Sequence, residues 1–130
     1  MILDTTFVVD ILRGNPSAIR KLHTLLADGE TLIITAPTIF EVFSGLAKSR
    51  KLPQERERIR RALNQHVQWA FDGKSAEAAG ELDAELIAKG QTIGPIDSQI
   101  AGIALTNHEP VLTRNTEHFK RVPGLHVETY

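Results

Sequence analysis

Oxygen-bearing side chains fall just beyond the short apolar runs of this sequence. Asp4 follows Met1-Ile2-Leu3, Thr35 and then Glu41 follow Thr31–Ile34, Asp72 follows Val67–Phe71, and Asn115 follows Val111-Leu112-Thr113-Arg114. Asp97 stands in Gly94-Pro95-Ile96-Asp97-Ser98-Gln99, ahead of the wholly apolar or small stretch Ile100–Leu105. Carboxylates gathered at one place repel, and burial raises the cost. A hard cation offsets it. Mg²⁺ or Mn²⁺ suits oxygen-only ligands, keeping several waters and binding through a few carboxylates plus substrate phosphate. Such an ion polarises a phosphoryl oxygen, acidifies a bound water and stabilises a leaving oxygen, which is the chemistry of phosphodiester hydrolysis.

Each position also has a plainer reading. Asp4 can cap the helix that follows it, and Asp97 can be a first-turn anion at a helix N-terminus. Glu41 lies opposite the apolar stripe of its own helix, which marks a solvated position, although an open cleft is solvated too. Asn115 suits a turn or cap. Asp10 and Asp72 read as structural, Asp72-Gly73 being a turn signal. His23, His66, His108, His118 and His126 are scattered, lack helical metal-ligand spacing, and read as surface or core residues.

The elements that must position these groups follow from punctuation and period. Met1-Ile2-Leu3 is a short buried strand. Thr5 or Thr6 caps a helix through Arg13, stopped by Gly14. Asn15-Pro16 opens a second helix with the stripe Ile19, Leu22, Leu25 and Leu26. Thr31–Thr35 is β-branched and uninterrupted, as a central parallel strand is. Pro37 begins a helix with Ile39, Val42, Phe43 and Leu46 on one face. Lys48–Pro53 is a basic loop and Gln54–His66 a charged helix with Ile59 and Leu63 inward. Val67–Phe71 is a strand, Ser75–Lys89 a helix, Pro110–Thr113 a strand, Arg114–Arg121 a turn or short helix with Phe119 inward, and Leu125–Val127 a last strand. A helix without a polar face, as over Ile100–Leu105, belongs inside a domain.

Strands alternating with helices give βαβ crossovers, hence an α/β/α sandwich around a central, mostly parallel sheet of four to five strands. Ligands bind outside the carboxyl ends of such strands, where the oxygen groups above fall. At 130 residues the chain reads as one domain, residues 1–130, with no repeat or linker. It has no cysteine, which excludes disulfides and thiolate metal sites. No signal peptide and no membrane span is seen, so a cytoplasmic location is expected. Net charge is −1 but uneven. Seven basic residues face two acidic ones between Lys48 and Arg61, against eight and fourteen elsewhere. A basic surface on an acidic body suits a polyanion such as a nucleic-acid backbone, or is a solvated helix face with internal Glu–Arg pairs.

Four segments resemble the PIN-domain ribonucleases, specifically the VapC-type toxins of prokaryotic toxin–antitoxin pairs. They are Met1-Ile2-Leu3-Asp4-Thr5, Thr38-Ile39-Phe40-Glu41-Val42, Ile96-Asp97-Ser98-Gln99-Ile100-Ala101, and Leu112-Thr113-Arg114-Asn115 with Phe119. Each is weak alone; four in this order at this length are specific. The resemblance implies a PIN-like fold, an endoribonuclease, and Asp4, Glu41 and Asp97 as ligands of Mg²⁺ or Mn²⁺. The fourth family position, often Asp, is Asn115 here, which removes one negative charge and bears on whether a second metal is held. Thr5 and Thr113 would hydrogen-bond around the site. RNA is the implied substrate, a homodimer the implied assembly, and a VapB-like antitoxin the implied partner, its tail covering the acidic cleft. The alternative is a non-catalytic PIN-like RNA- or protein-binding module. A receiver domain wants a lysine where Leu112-Thr113-Arg114 offers arginine, and a haloacid-dehalogenase-type phosphatase wants a second acid that Asp4-Thr5-Thr6 lacks.

Overall fold

The computed structural model describes residues 1–49 and 52–130. Arg50 and Lys51, in the middle of the basic loop, lie outside the described residues. Five strands form one parallel sheet: β1 (Ile2–Leu3), β2 (Ile33–Thr35), β3 (Val67–Trp69), β4 (Val111–Leu112) and β5 (Val127–Glu128), in the order β3-β2-β1-β4-β5. Among the described residues the helices are α1 (Thr5–Leu12), α2 (Pro16–Ala27), α3 (Ala36–Lys48), α4 (Pro53–Asn64), α5 (Gly73–Ala88), α6 (Pro95–Asn107) and α7 (Thr116–Phe119).

Alternation along the strands sorts apolar side chains to the two faces. Leu3, Ile34 and Leu112 join Phe7, Val8, Val42, Ile59 and Leu63 in a core under α1–α4. Their neighbours Ile2, Ile33 and Val111 join Leu82, Leu86, Ile100, Ile103 and Phe119 in a second core under α5–α7. Both faces of the sheet are thus covered at its centre, which is why β1, β2 and β4 read as unbroken apolar runs while the edge strands β3 and β5 carry Gln68 and Glu128.

Chain direction sets the site. From β1 the sheet grows one way to β2 and β3, then the chain returns through α5 and α6 to place β4 on the other flank of β1. The strand order therefore reverses between β1 and β4, and crevices for ligands open at such switch points. The backbone N–H of Asp4 donates to Leu112 O at 3.0 Å, bringing the two strand ends side by side.

Helix α6 is held tightly. A Cβ on Gly102 would stand 2.6 Å from Ala79 Cβ and 2.7 Å from Ser75 O, so α5 and α6 pack backbone to backbone here. Ser98 Oγ donates to Asp83 Oδ1 at 2.8 Å across the same interface. Gly94, at φ 90°, is the residue before the helix, a backbone setting that L side chains rarely adopt.

Several details differ from the sequence reading. Of the caps the sequence offered for α1, Asp4 against Thr5 or Thr6, it is Asp4 whose carboxylate reaches the Thr6 N–H. Asp72 is a cap as well, accepting from Ser75 N at 2.9 Å, and Gly73 lies inside α5. Leu26 is 55% exposed, since Ala18 and Leu25 define the inward line of α2. Strand β3 is an edge strand ending at Trp69, with Val67 exposed.

Candidate active site

Asp4 ends β1 and is 1% exposed. Its Oδ2 accepts from Thr113 Oγ1 at 2.7 Å, Thr6 Oγ1 at 2.8 Å and, weakly, Thr6 N at 3.4 Å. Thr113 comes from the end of β4 and is fully buried; its Oγ1 also accepts from Asn115 N at 2.8 Å. One carboxylate oxygen is therefore fixed by two hydroxyls, and Oδ1 has no protein donor among the described residues. The cap and the cleft carboxylate are the same side chain.

Asp97 occupies the first turn of α6 with its side chain 17% exposed. Its Oδ2 lies 2.9 Å from His118 Nδ1 and accepts from Asn115 Nδ2 at 3.3 Å. With Asp97 ionised, Nδ1 is the donor. Here again one oxygen is engaged, and Oδ1 has no partner among the described residues. Burial raises the Asp97 pKa first; the His118 hydrogen bond opposes this, and the Asp4 charge adds to it.

Glu41, on α3, completes the group. It is half-buried rather than fully solvated, its stripe-opposed position facing the cleft. Its pKa is raised by desolvation first, then by the charges of Asp97 and Asp4. Thr5 slightly favours the ionised form of Glu41. That influence comes from the buried Thr5 Oγ1 facing the Glu41 carboxylate, although the two do not meet in a well-formed hydrogen bond.

These features test whether a divalent cation fits. All donors are oxygen, as Mg²⁺ and Mn²⁺ require. Two carboxylates, Asp4 and Asp97, each present an oxygen without a protein donor among the described residues. The pKa values of Glu41 and Asp97 are both raised, by burial first and then by neighbouring carboxylates, with His118 opposing the rise at Asp97. Among the described residues, no three Asp, Glu, His or Cys side chains close on one point as a full ligand set. The donors therefore suit an ion that retains water and shares substrate oxygens, and do not form an all-protein cage.

The structure thus brings together Asp4, Glu41, Asp97 and Asn115 and leaves Asp72 as an exposed cap. His118, set aside in sequence with the other histidines, belongs to the cluster. The available signal was its spacing of three from Asn115 on a helical turn, which puts both on one face. Asp10 is buried beside the site: Tyr130 OH donates to its Oδ2 at 2.7 Å, and Arg114 Nη1 lies 2.8 Å from the same oxygen. Burial and the Asp10 carboxylate push the Tyr130 phenol up, so it remains a donor.

The basic segment is partly self-neutralised. On α4, Arg58 pairs with Glu55 at 2.9 Å, and Arg60 and Arg61 pair with Glu57. Arg56 and Arg60 also stand over the Phe43 ring at 5.7 and 6.0 Å. A groove of about 210 Å³ runs between α1, α3 and α4, with Glu41 at its lip and Val9, Leu12, Val42, Leu46 and Ile59 along it.

Comparisons with known proteins agree with this geometry. Residues 1–125 match the PIN domain. Ribonuclease VapC2 of Rickettsia felis is 31% identical, the alignment covering 98% of this chain and 96% of the relative. The tRNA(fMet)-specific endonuclease VapC of Salmonella typhimurium is 28% identical over 98% and 96%. The crystal structure of VapBC2 from Rickettsia felis bound to a promoter DNA fragment matches at a TM-score of 0.88 and 30% identity, covering 99% of this chain and 97% of the other. An acid cluster at the β1/β4 switch point, a matched domain and relatives aligned almost end to end lead to one assignment: the chain belongs to the PIN-domain family, in its VapC-type branch.

Proposed function

We propose that this protein is a divalent-metal-dependent endoribonuclease, the toxin of a VapBC-type toxin–antitoxin pair. The observation that carries the reading is the convergence of Asp4, Glu41 and Asp97 at one crevice, where the charges of Asp4 and Asp97 bear on Glu41 and that of Asp4 bears on Asp97. Asp4, Glu41 and Asp97 hold Mg²⁺ or Mn²⁺. Thr6 and Thr113 orient Asp4; Asn115 and His118 orient Asp97, so that each aspartate offers one free oxygen. The bound ion supplies Lewis-acid activation of the phosphodiester and of the attacking water.

RNA is the substrate in this reading. The relatives named as tRNA(fMet)-specific endonucleases make initiator tRNA the first RNA to assay. The VapBC complexes among the solved relatives support an antitoxin partner, and the apolar groove beside Glu41 offers its tail a path to the acids. A homodimer acting in the cytoplasm completes the proposal.

The test uses purified protein freed of antitoxin and a structured RNA, with Mg²⁺, Mn²⁺ or chelator. Cleavage is expected only with metal, and Asp97→Asn is expected to abolish it. Cleavage that persists with chelator, or in that variant, overturns the metal assignment. One observation favours a second reading, a non-catalytic PIN-like RNA- or protein-binding module: Asn115 removes a negative charge from the site. RNA binding without Mn²⁺ binding would support that module.

A further inference from the structure

Arg114 combines a fixed position with an exposed charge. Its backbone N–H donates to Thr6 Oγ1 at 3.1 Å, and that hydroxyl donates to Asp4 Oδ2. The backbone of Arg114 thus stands two hydrogen bonds from a carboxylate of the site. Its side chain is 59% exposed, whereas its partner Asp10 is only 5% exposed. Asp10 is itself held by Tyr130 OH, and the Tyr130 ring packs edge-on against buried Phe7 with centroids 4.8 Å apart. Only Nη1 of the guanidinium is engaged; its other N–H groups have no protein partner among the described residues.

Pairing with buried Asp10 leaves part of the guanidinium without a role: Asp10 already has the Tyr130 hydroxyl as donor, and the arginine offers it one nitrogen while most of the side chain stays exposed. A guanidinium tethered at one edge suits a different task. Its planar fork matches phosphate oxygens two at a time, and tethering lowers the entropy lost on binding. The crevice also needs such a group, because its three carboxylates repel a polyanion. Like Arg58, Arg60 and Arg61 on α4, Arg114 is paired with a carboxylate, but its backbone is fixed beside the acid cluster by the Thr6 hydroxyl that also holds Asp4.

We propose that Arg114 is a substrate-binding residue that takes an RNA phosphate next to the acid cluster, with Asp10 and Tyr130 as positioning residues that hold its guanidinium. The inference rests on the ribonuclease reading above. Arginine is suited here because it can keep the Asp10 pair and still present a second donor edge.

The experiment compares the full chain with Arg114→Gln and Arg114→Lys. RNA binding is measured with catalysis silenced by Asp97→Asn in every protein, across a salt series, and steady-state cleavage is measured without that substitution. Binding and cleavage by the parent proteins come first; their absence overturns the ribonuclease reading and this inference with it. Given activity, Arg114→Gln is expected to weaken RNA binding about tenfold and to lower the slope of log Kd against log salt by about one. Arg114→Lys keeps a charge for Asp10 and guards against misfolding; it is expected to raise KM several-fold with kcat unchanged. An unchanged salt slope in Arg114→Gln, or an unchanged KM in Arg114→Lys, makes the residue structural and overturns the inference while leaving the ribonuclease reading standing.

Discussion

His118 Nδ1 lies 2.9 Å from Asp97 Oδ2, tying the short helix α7 to the first turn of the buried helix α6. The contact fixes which carboxylate oxygen is left free. Partners of this kind change metal affinity or activity by about 10–100-fold when removed. His118→Ala is therefore expected to raise the Mn²⁺ midpoint for RNA cleavage at least about tenfold. A metal titration at saturating RNA checks this, and an unmoved midpoint would detach His118 from the site.

Glu41 and Asp97 give a pH dependence with a definite sign. A carboxylate with a raised folded pKa binds its proton more tightly folded than unfolded, so the metal-free protein loses stability as pH climbs from the ordinary carboxylate value through the raised one. Below that window the penalty vanishes. Glu41→Gln should then stabilise the metal-free protein near neutral pH by about 2–4 °C in Tm, the scale on which about half to one kcal/mol reads at this size. Thermal unfolding with and without Mg²⁺ tests it: added metal should raise the Tm of the parent more than that of the variant. A variant that melts lower than its parent without metal contradicts the repulsion described here.

Asn115→Asp returns the missing charge. Without metal the new carboxylate would face Asp97 Oδ2, where Asn115 Nδ2 now donates at 3.3 Å, so the metal-free variant should melt below the parent. With Mn²⁺ present the added charge should tighten binding on the order of tenfold. Calorimetric titration reads both affinity and stoichiometry. Weaker binding than in the parent would show that the amide serves better than an acid at this position.

Gly102→Ala tests the seat of Asp97. The added methyl would meet Ser75 O and Ala79 at less than 3 Å, so one helix must move. A cost of about 1–3 kcal/mol in urea unfolding is expected, with cleavage falling by more than the loss of folded protein explains. A change under about 0.5 kcal/mol would mean that the α5–α6 contact is looser than described.

The layered fold was legible because the central strands β1, β2 and β4 are short runs of β-branched or large apolar residues, such as Ile33-Ile34, bounded by polar turns. Asp4 and Asp97 stood out for a related reason: each sits where an apolar run ends or a buried helix begins. Glu41 was harder, since a helical wheel cannot separate a cleft from open solvent. His118 was passed over, because its spacing from Asn115 is a weak signal alone and its relation to Asp97 depends on how α7 packs against α6. Asp4 was ambiguous as cap or site residue, and the ambiguity was false, since one oxygen serves as cap while the other is left free.

The three acids come from three different layers. Glu41 rides on the helices over one face, Asp97 on those over the other, and Asp4 on the sheet between them. Their mutual distances therefore gauge how the two helical shells are registered across strands only two or three residues long. A lesion deep in either shell, remote from the crevice, would be felt there as misalignment before the molecule unfolds, so loss of turnover should serve as the earliest reporter of slippage between the shells.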